Sequence, residues 1–340
     1  MSCENRYRVT GGGVEVQRKK VILAEPRGFC AGVRRAISII EIALERYGPP
    51  VYVRKEIVHN HYVVRVLRQR GAVFVDSEDE IPEGEVCVFS AHGVSPEVRR
   101  NAGRRRLDVI DATCPLVAKV HQQALRVARA DRTILLIGHS GHEEVEGTHG
   151  HAPDRTVIVE TVEDARALDL PADTPLAYLT QTTLSVDETR EIVEVLRDRF
   201  HDLTGPGTDD ICYASQNRQD AIKAIAPRSD LVLVVGSRNS SNSVRMVEVA
   251  RRSGSAAHLV PDVGEFSPQW LDGVSTVGVS AGASAPDVLV EELLDLLADH
   301  GFRDTELESV AREDIVFSPP TRLARTADTG SRPAPAKGTP

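Results

Sequence analysis

Three cysteines hold equivalent places in a repeating pattern: Cys30 in PRGFCAGVRRAI, Cys114 in DATCPLVAKVH and Cys212 in DDICYASQNRQD. Each stands just before a run with helical apolar spacing. A helix N-terminus offers free N–H groups and the positive end of the aligned peptide dipoles, which favour a thiolate. All three are therefore expected to be low-pKa thiolates. Their separations of 84 and 98 residues rule out the close CxxC pairs of a zinc ribbon. Thiolates suit zinc, copper(I) or iron–sulfur clusters. A four-iron cluster normally takes four cysteines, so three would leave one iron open to bind a substrate as a Lewis acid. Cys87, inside the apolar run VCVFS, reads as a buried structural thiol, and Cys3 in the polar N-terminal arm carries no role.

Counting forward from each cysteine gives the repeat its chemical content. At +29, +28 and +28 stand His59, His142 and Ser240; at +62, +68 and +72 stand His92, Thr182 and Ser284. Duplication of a bare scaffold would keep core residues without placing Cys, His, Ser or Thr at matching offsets. The segment GSRNSSNS, with Ser240, Ser241 and Asn242 at a helix start, is a phosphate cradle in chemical terms. Ser284 in SAGASAP repeats that chemistry, although a plain N-cap would look the same. His59, His92 and His142 could give charge-assisted hydrogen bonds to a diphosphate. A rival stands beside this reading: GHSGHEEVEGTHGH could bind zinc through His139, His142, His149 and His151, with Glu143, Glu144 and Glu146 as nearby acids or ligands.

The elements that must position these residues follow from the apolar pattern. Short Val- and Ile-rich runs, such as VYVR, TILLI and LVLVV, read as strands buried on both faces. Helical spacing fills the gaps, as at Val33, Ile37, Ile40, Leu44 and Tyr47 before Gly48. The same spacing predicts helices over 60–70, 116–130, 186–200, 216–226, 243–252 and 286–299. Alternating strands and helices imply βαβ units with parallel sheets. The expected fold is α/β, with three pseudo-threefold-related modules around a common centre. The boundaries expected are a flexible arm at 1–19 and modules at 20–113, 114–208 and 209–317, the last including a C-terminal segment. A disordered tail rich in Pro, Ala, Gly, Ser and Thr is expected at 318–340. Ligands of open parallel sheets bind outside the carboxyl ends of strands, so a shared centre would gather three cysteines and six polar strand-ends.

Bulk properties exclude other classes. A net charge of −9 and a pI near 5.7 argue against broad nucleic-acid binding. No run approaches the roughly 20 apolar residues of a membrane span, and the first 20 residues lack a secretory h-region. A cytoplasmic location is expected, in which five cysteines do not form a disulfide framework.

Taken together, PRGFCAGVRRAI, VHNHYVV, FSAHGVSP, DATCPLVAKVH, IGHSGHEEVEGT, TQTTLSVDET, DDICYASQNRQ, VGSRNSSNS and SAGASAPD closely resemble the 4-hydroxy-3-methylbut-2-enyl diphosphate reductase family, over roughly residues 20–318. The resemblance implies one [4Fe–4S] cluster per chain at the centre of the three modules, with Cys30, Cys114 and Cys212 as ligands. It implies a diphosphate held by His59, His92, His142, Ser240, Ser241, Asn242 and Ser284. Glu144 matches the proton donor, and Thr182 matches the residue that contacts the substrate hydroxyl and relays protons. The reaction implied is reductive removal of an allylic hydroxyl, giving isopentenyl and dimethylallyl diphosphate as the last step of the non-mevalonate isoprenoid pathway. A ferredoxin- or flavodoxin-type electron donor is implied, and neither nucleic acid nor membrane. Glu143 stands where the motif commonly has Pro and is expected to matter little. His149 and His151 fall outside the matched set and read as surface or supporting residues. Two other readings remain open from the residues: a hydro-lyase using the same open iron without net electron transfer, and a non-catalytic metal sensor or structural zinc protein.

Overall fold

The computed structural model describes residues 19–207 and 210–324. Three parallel sheets organise them. The first contains β2 (Val51–Arg54), β3 (Ala72–Val75), β4 (Val86–Phe89) and β5 (Asp108–Asp111), in the order β3-β2-β4-β5. The second contains β6 (Thr133–Ile137), β7 (Thr156–Val159), β8 (Leu176–Thr180) and β9 (Leu203–Thr204), in the order β7-β6-β8-β9. The third contains β1 (Lys20–Glu25), β10 (Leu231–Val235), β11 (Ala256–Val260), β12 (Thr276–Ala281) and β13 (Asp304–Ser309), in the order β11-β10-β12-β1-β13.

Every sheet reverses its strand order at one place: between β2 and β4, between β6 and β8, and between β10 and β12. Such a switch point opens a crevice beyond the carboxyl ends of the strands. The six polar strand-ends of the sequence are the residues that follow these six strands. The central strands are buried on both faces, β4 and β10 along their whole length, which is why they read as unbroken apolar runs.

The module boundaries differ from the sequence expectation in one respect. Strand β1 lies in the third sheet, in register with β12 and β13, although the chain continues from it into the first module. Its slot beside β12 is the one that β5 fills beside β4 and β9 beside β8. The three repeats are therefore joined in a cycle: each cysteine follows the fourth-slot strand of one sheet and starts a helix of the next module. Cys30 follows β1 and opens the helix Ala31–Tyr47, whose Ile39, Ile40 and Ala43 pack with Val51, Val53 and Val88 of the first sheet. Cys114 follows β5 and opens Pro115–Arg129, whose Val120 and Ala124 pack on Ile134, Leu136 and Leu179. Cys212 follows β9 and opens Tyr213–Ile225, whose Ala221, Ile222 and Ile225 pack on Val232, Val234 and also Ile22 of β1.

The helices expected by periodicity are observed as His61–Gln69, Pro115–Arg129, Val186–Arg199, Tyr213–Ile225, Ser241–Arg252 and Asp287–Asp299. Three further helices, Pro96–Arg104, Glu143–His149 and Val162–Ala167, are too short or too polar to show a period. Arg218, fully buried, ties the junction together. Its Nε donates to the Gly28 carbonyl (3.1 Å) and its Nη1 to Glu313 (2.9 Å).

The chain after β13 runs back to the first module, so residues 318–324, expected in a disordered tail, take a defined place there. Ser318 accepts from Arg35 Nε (2.9 Å), and the helix Thr321–Ala324 places Arg322 against Asp108, the Val109 carbonyl and the Tyr47 hydroxyl. Leu323 enters the first module's core at 4% exposure. One leucine among Pro, Thr and Arg carries no periodicity, so sequence pattern could not find this contact. The remainder of the expected tail, 325–340, and all of the N-terminal arm except Lys19 lie outside the described residues. Among the described residues no helix is long and apolar enough to cross a membrane.

Leu323→Ala is expected to lower the unfolding free energy by about 2–3 kcal/mol in urea denaturation. Val316→Ala, at a position 87% exposed, should stay within about 0.5 kcal/mol of wild type. Equal midpoints for the two would show that the strap contributes nothing to stability.

Candidate functional site

The three crevices open on one cavity of about 100 Å³, and all twelve residues singled out from the sequence line it. A larger groove, about 680 Å³, lies outside it and is bordered by charged residues such as Arg27, Asp287 and Arg312. It lacks convergent thiols and imidazoles, so the smaller cavity is the candidate site.

Cys30 and Cys212 cap their helices with sulfur: Cys30 Sγ accepts from Val33 N (3.5 Å) and Cys212 Sγ from Ser215 N (3.3 Å). Cys114 makes no such capping bond, although the Leu116 and Val117 amides act on it in the same sense. None of the three forms a disulfide. Cys114 and Cys212 are not the low-pKa groups that their helix positions suggest. Burial pushes Cys114 up to about 12 and Cys212 up to about 11, and the neighbouring sulfurs add to the rise. Desolvation of the anion outweighs the helix N-terminus here. A bound cation would reverse that balance, since coordination deprotonates a thiol outright.

The first turn after Cys30 is shaped for that purpose. A Cβ added to Gly32 would stand 2.8 Å from Cys114 Sγ and 3.8 Å from Cys30 Sγ, so only glycine leaves the space between the sulfurs free. Three sulfur donors around a side-chain-free gap fit a soft metal centre such as an iron–sulfur cluster. Cys87 is fully buried in the first sheet, with its thiol pushed up to about 12 by burial, and takes no part.

The opposite wall is made of imidazoles and hydroxyls. The rings of His59 and His92 stack at 3.9 Å and 15°, with His142 edge-on to both at 5.3 and 5.8 Å. His142 caps the helix Glu143–His149, its Nδ1 accepting from Glu144 N (3.1 Å). Burial and the neighbouring histidines push it down to about 2, so the ring is neutral and its proton sits on Nε2. From the third module, Ser284 donates to the His59 carbonyl (2.9 Å), and the Asn242 amide oxygen accepts from Ala283 N (2.8 Å). Asn242 Nδ2 donates to Ser215 Oγ (3.3 Å), which touches Cys212 Sγ (3.2 Å). Ser241 Oγ accepts from Gln181 Nε2 (3.2 Å), and Ser240 caps the helix Ser241–Arg252.

Glu144, 1% exposed, lies between the two walls. Its Oε1 accepts from Thr182 N (2.6 Å) and its Oε2 from Thr182 Oγ1 (3.0 Å). These donors favour the anion. Burial, with help from Asp210, prevails and raises the carboxyl to about 7. Thr182 is itself anchored beside the sulfurs, its carbonyl accepting from Cys212 N (3.0 Å).

The zinc reading is not supported by geometry. Of its four histidines, only His142 lines the cavity. His139 Nε2 lies 2.8 Å from Arg245, His151 stacks on His121 at 4.2 Å, and His149 ends its helix. Among the described residues, the group of three donors close enough to share an ion is His59, His92 and Glu143. Sequence reasoning missed Ser215, Gln181 and Glu56, and gave Glu143 too little weight. Ser215 had a usable signal, the cysteine-to-serine spacing of an N-cap. The others act through contacts between modules, which no local pattern reports. Glu143, expected to matter little, places its carboxylate 3.1 Å from His92 Nδ1.

Known proteins resemble this chain over most of its length. Residues 21–298 match the family model described as LytB protein. A 4-hydroxy-3-methylbut-2-enyl diphosphate reductase of Nocardia farcinica is 58% identical over 309 residues, covering 91% of this chain and 92% of the relative. The Streptomyces coelicolor protein of the same name is 56% identical, covering 90% and 91%. Among solved structures, the E-1-hydroxy-2-methyl-but-2-enyl-4-diphosphate reductase of Plasmodium falciparum superposes with a TM-score of 0.88 at 38% identity, covering 90% of this chain and 97% of that one. With its three sheets, its shared cavity and these matches, the chain belongs to the LytB family.

Proposed function

We propose that this chain is a 4-hydroxy-3-methylbut-2-enyl diphosphate reductase, converting the allylic alcohol to isopentenyl and dimethylallyl diphosphate in the last step of the non-mevalonate isoprenoid pathway. The observation that carries the reading is the meeting of three thiols, a set of imidazole, hydroxyl and amide donors and one buried carboxylic acid in a single cavity. A four-iron cluster held by Cys30, Cys114 and Cys212 would supply electrons and a Lewis-acidic iron for the hydroxyl oxygen. The overall change takes two electrons and two protons, breaks the C–O bond, forms a C–H bond and releases water. Electrons would come from a small redox protein of ferredoxin or flavodoxin type, in a cytoplasmic setting.

The protein's own residues bind, orient and protonate. His142 offers Nε2–H to the diphosphate while neutral. Ser240, Ser241 and Asn242 add hydroxyl and amide donors at the start of a helix, where unpaired N–H groups also favour anions, and Ser284 adds a hydroxyl from the loop ahead of another helix. Binding of the diphosphate at these groups leaves the hydroxyl end directed toward the sulfurs and Glu144. Glu144 holds its proton near neutral pH. In its ionised form it accepts from the Thr182 hydroxyl. Once protonated it donates to that oxygen, which frees the Thr182 proton for the departing hydroxyl. A general acid with a pKa close to the working pH suits this task.

Turnover of the hydroxylated diphosphate by anaerobically purified protein should require an external reductant. Conversion without one would replace this reading with a hydro-lyase. Glu144→Gln should lower kcat by about 10²- to 10⁴-fold and leave iron content unchanged. Because the Glu144 carboxyl is raised, its donor form is present below about pH 7 and lost above, so wild-type kcat should decline as pH rises through that value. A flat profile from pH 6 to 8 would remove Glu144 as the donor.

Replacing Cys30, Cys114 or Cys212 by Ala should strip iron and acid-labile sulfide from the protein, whereas Cys87→Ala should keep both. Gly32→Ala should also lower iron content, because its methyl group would stand against the Cys114 sulfur. Full iron loading in a Cys114→Ala protein would refute the ligand set.

A further inference from the structure

Glu143 and Glu144 are adjacent, yet their carboxylates serve opposite walls of the cavity. Glu143 Oε2 lies 3.1 Å from His92 Nδ1 and accepts from Ser90 Oγ at 3.3 Å. Both members of the His92–Glu143 pair are largely shielded, at 15% and 17% side-chain exposure. His59, stacked on His92, has a second carboxylate behind it: Glu56 Oε2 at 3.5 Å from His59 Nδ1, steadied by Asn239 Nδ2 at 2.8 Å. That contact is longer, and Glu56 is shared with His61 at 3.8 Å.

A carboxylate can only accept, so His92 Nδ1 must carry a proton. In a neutral ring Nε2 is then a bare lone pair, and it repels a phosphate oxygen. Only the imidazolium presents Nε2–H to an anion while keeping its bond to Glu143. His142 is built the other way: its Nδ1 accepts from Glu144 N, so its neutral form already donates from Nε2. The groups facing His92 are His59, His142, Glu143 and Ser90. Two stacked imidazoles cannot both hold charge easily in such a place. Burial and the neighbouring His92 hold His59 below its ordinary value. Glu143 stays ionised, since the two histidines outweigh its burial and keep it below the usual carboxylate range.

We infer that Glu143 is a positioning residue that makes His92 take up a proton as the diphosphate binds, turning a neutral ring into a charge-assisted donor. The proton comes from solvent, a bond forms at His92 Nε2, and no electron moves. The inference rests on the diphosphate-reductase reading and assigns one of its binding groups a charge state and a partner. The same three groups, His59, His92 and Glu143, could instead clamp a divalent cation, and the test separates the two.

Inorganic pyrophosphate is titrated into the anaerobically purified holoenzyme near pH 7.5 by calorimetry, in buffers of different ionisation enthalpy. Wild type should take up close to one proton more than Glu143→Gln. Glu143→Gln should raise KM for the hydroxylated diphosphate about ten- to a hundred-fold, the effect of one charge-assisted hydrogen bond, with kcat within about twofold. Glu143→Asp should recover part of both. Equal proton uptake by wild type and Glu143→Gln, or a lower KM in the variant, would overturn the proposal. Loss of pyrophosphate binding on adding EDTA, with iron content unchanged, would overturn it in favour of a cation clamp. A wild-type holoenzyme that binds pyrophosphate but never reduces the alcohol would defeat the reductase reading while leaving the proton-uptake result to stand or fall by itself. Failure to bind pyrophosphate at all would overturn both.

Discussion

Three sulfurs that repel one another once ionised, each at the head of a different helix, set the terms for this structure. Left to themselves, burial keeps Cys114 and Cys212 as thiols. Holding them around a common point without collapse needs rigid helix starts and a gap that no side chain can enter. The fold provides the first by launching each helix from a strand of the preceding sheet, so that every cysteine is fixed from both sides. Gly32 provides the second. Gly28 contributes to the same junction: it adopts φ +67°, and a Cβ there would meet Asp287 Oδ1 at 3.0 Å. Its carbonyl is meanwhile held by the buried Arg218.

Two neighbouring carboxyls on the cavity wall take opposite charge preferences. Glu144 is protonated in part because it is fully enclosed beside Asp210 and the thiols. Glu143, one residue earlier, is ionised because two imidazoles face it. Adjacent carboxyls with opposite preferences can serve as acid and as counter-charge in one site. The backbone of the helix Glu143–His149 sends the two side chains apart, and the capping bond of His142 fixes where that helix begins.

Much of this was legible in the residues. Parallel strands buried on both faces leave continuous Val/Ile runs, so nine of the strands could be read directly, along with the helices after each cysteine. The repeat offsets placed His59, His142 and Ser240, and then His92, Thr182 and Ser284, at strand-ends. What escaped was non-local. Nothing in KVILAE says that it pairs with TVGVSA some 250 residues later. Leu323 looked like part of a polar tail because one buried residue makes no pattern. The acidity of Cys114 and Cys212 was misjudged because a helix start is visible in sequence and the depth of burial is not. Glu143 looked incidental because its partner, His92, lies 51 residues away on another module.

The cyclic arrangement of the repeats also bears on biogenesis. Strand β1 emerges from the ribosome long before β12 and β13, the two strands between which it must lie. Until those are translated, the loop bearing Cys30 has no sheet behind it, and the Gly28 and Cys30 amides lack the Ala281 and Ala283 carbonyls that anchor them. The first module can gather its own core on the nascent chain, but the sulfur-lined chamber cannot close there. A cluster held by Cys30, Cys114 and Cys212 would thus have to wait until synthesis has passed β12, when the earliest-made strand is taken up by the last-made sheet.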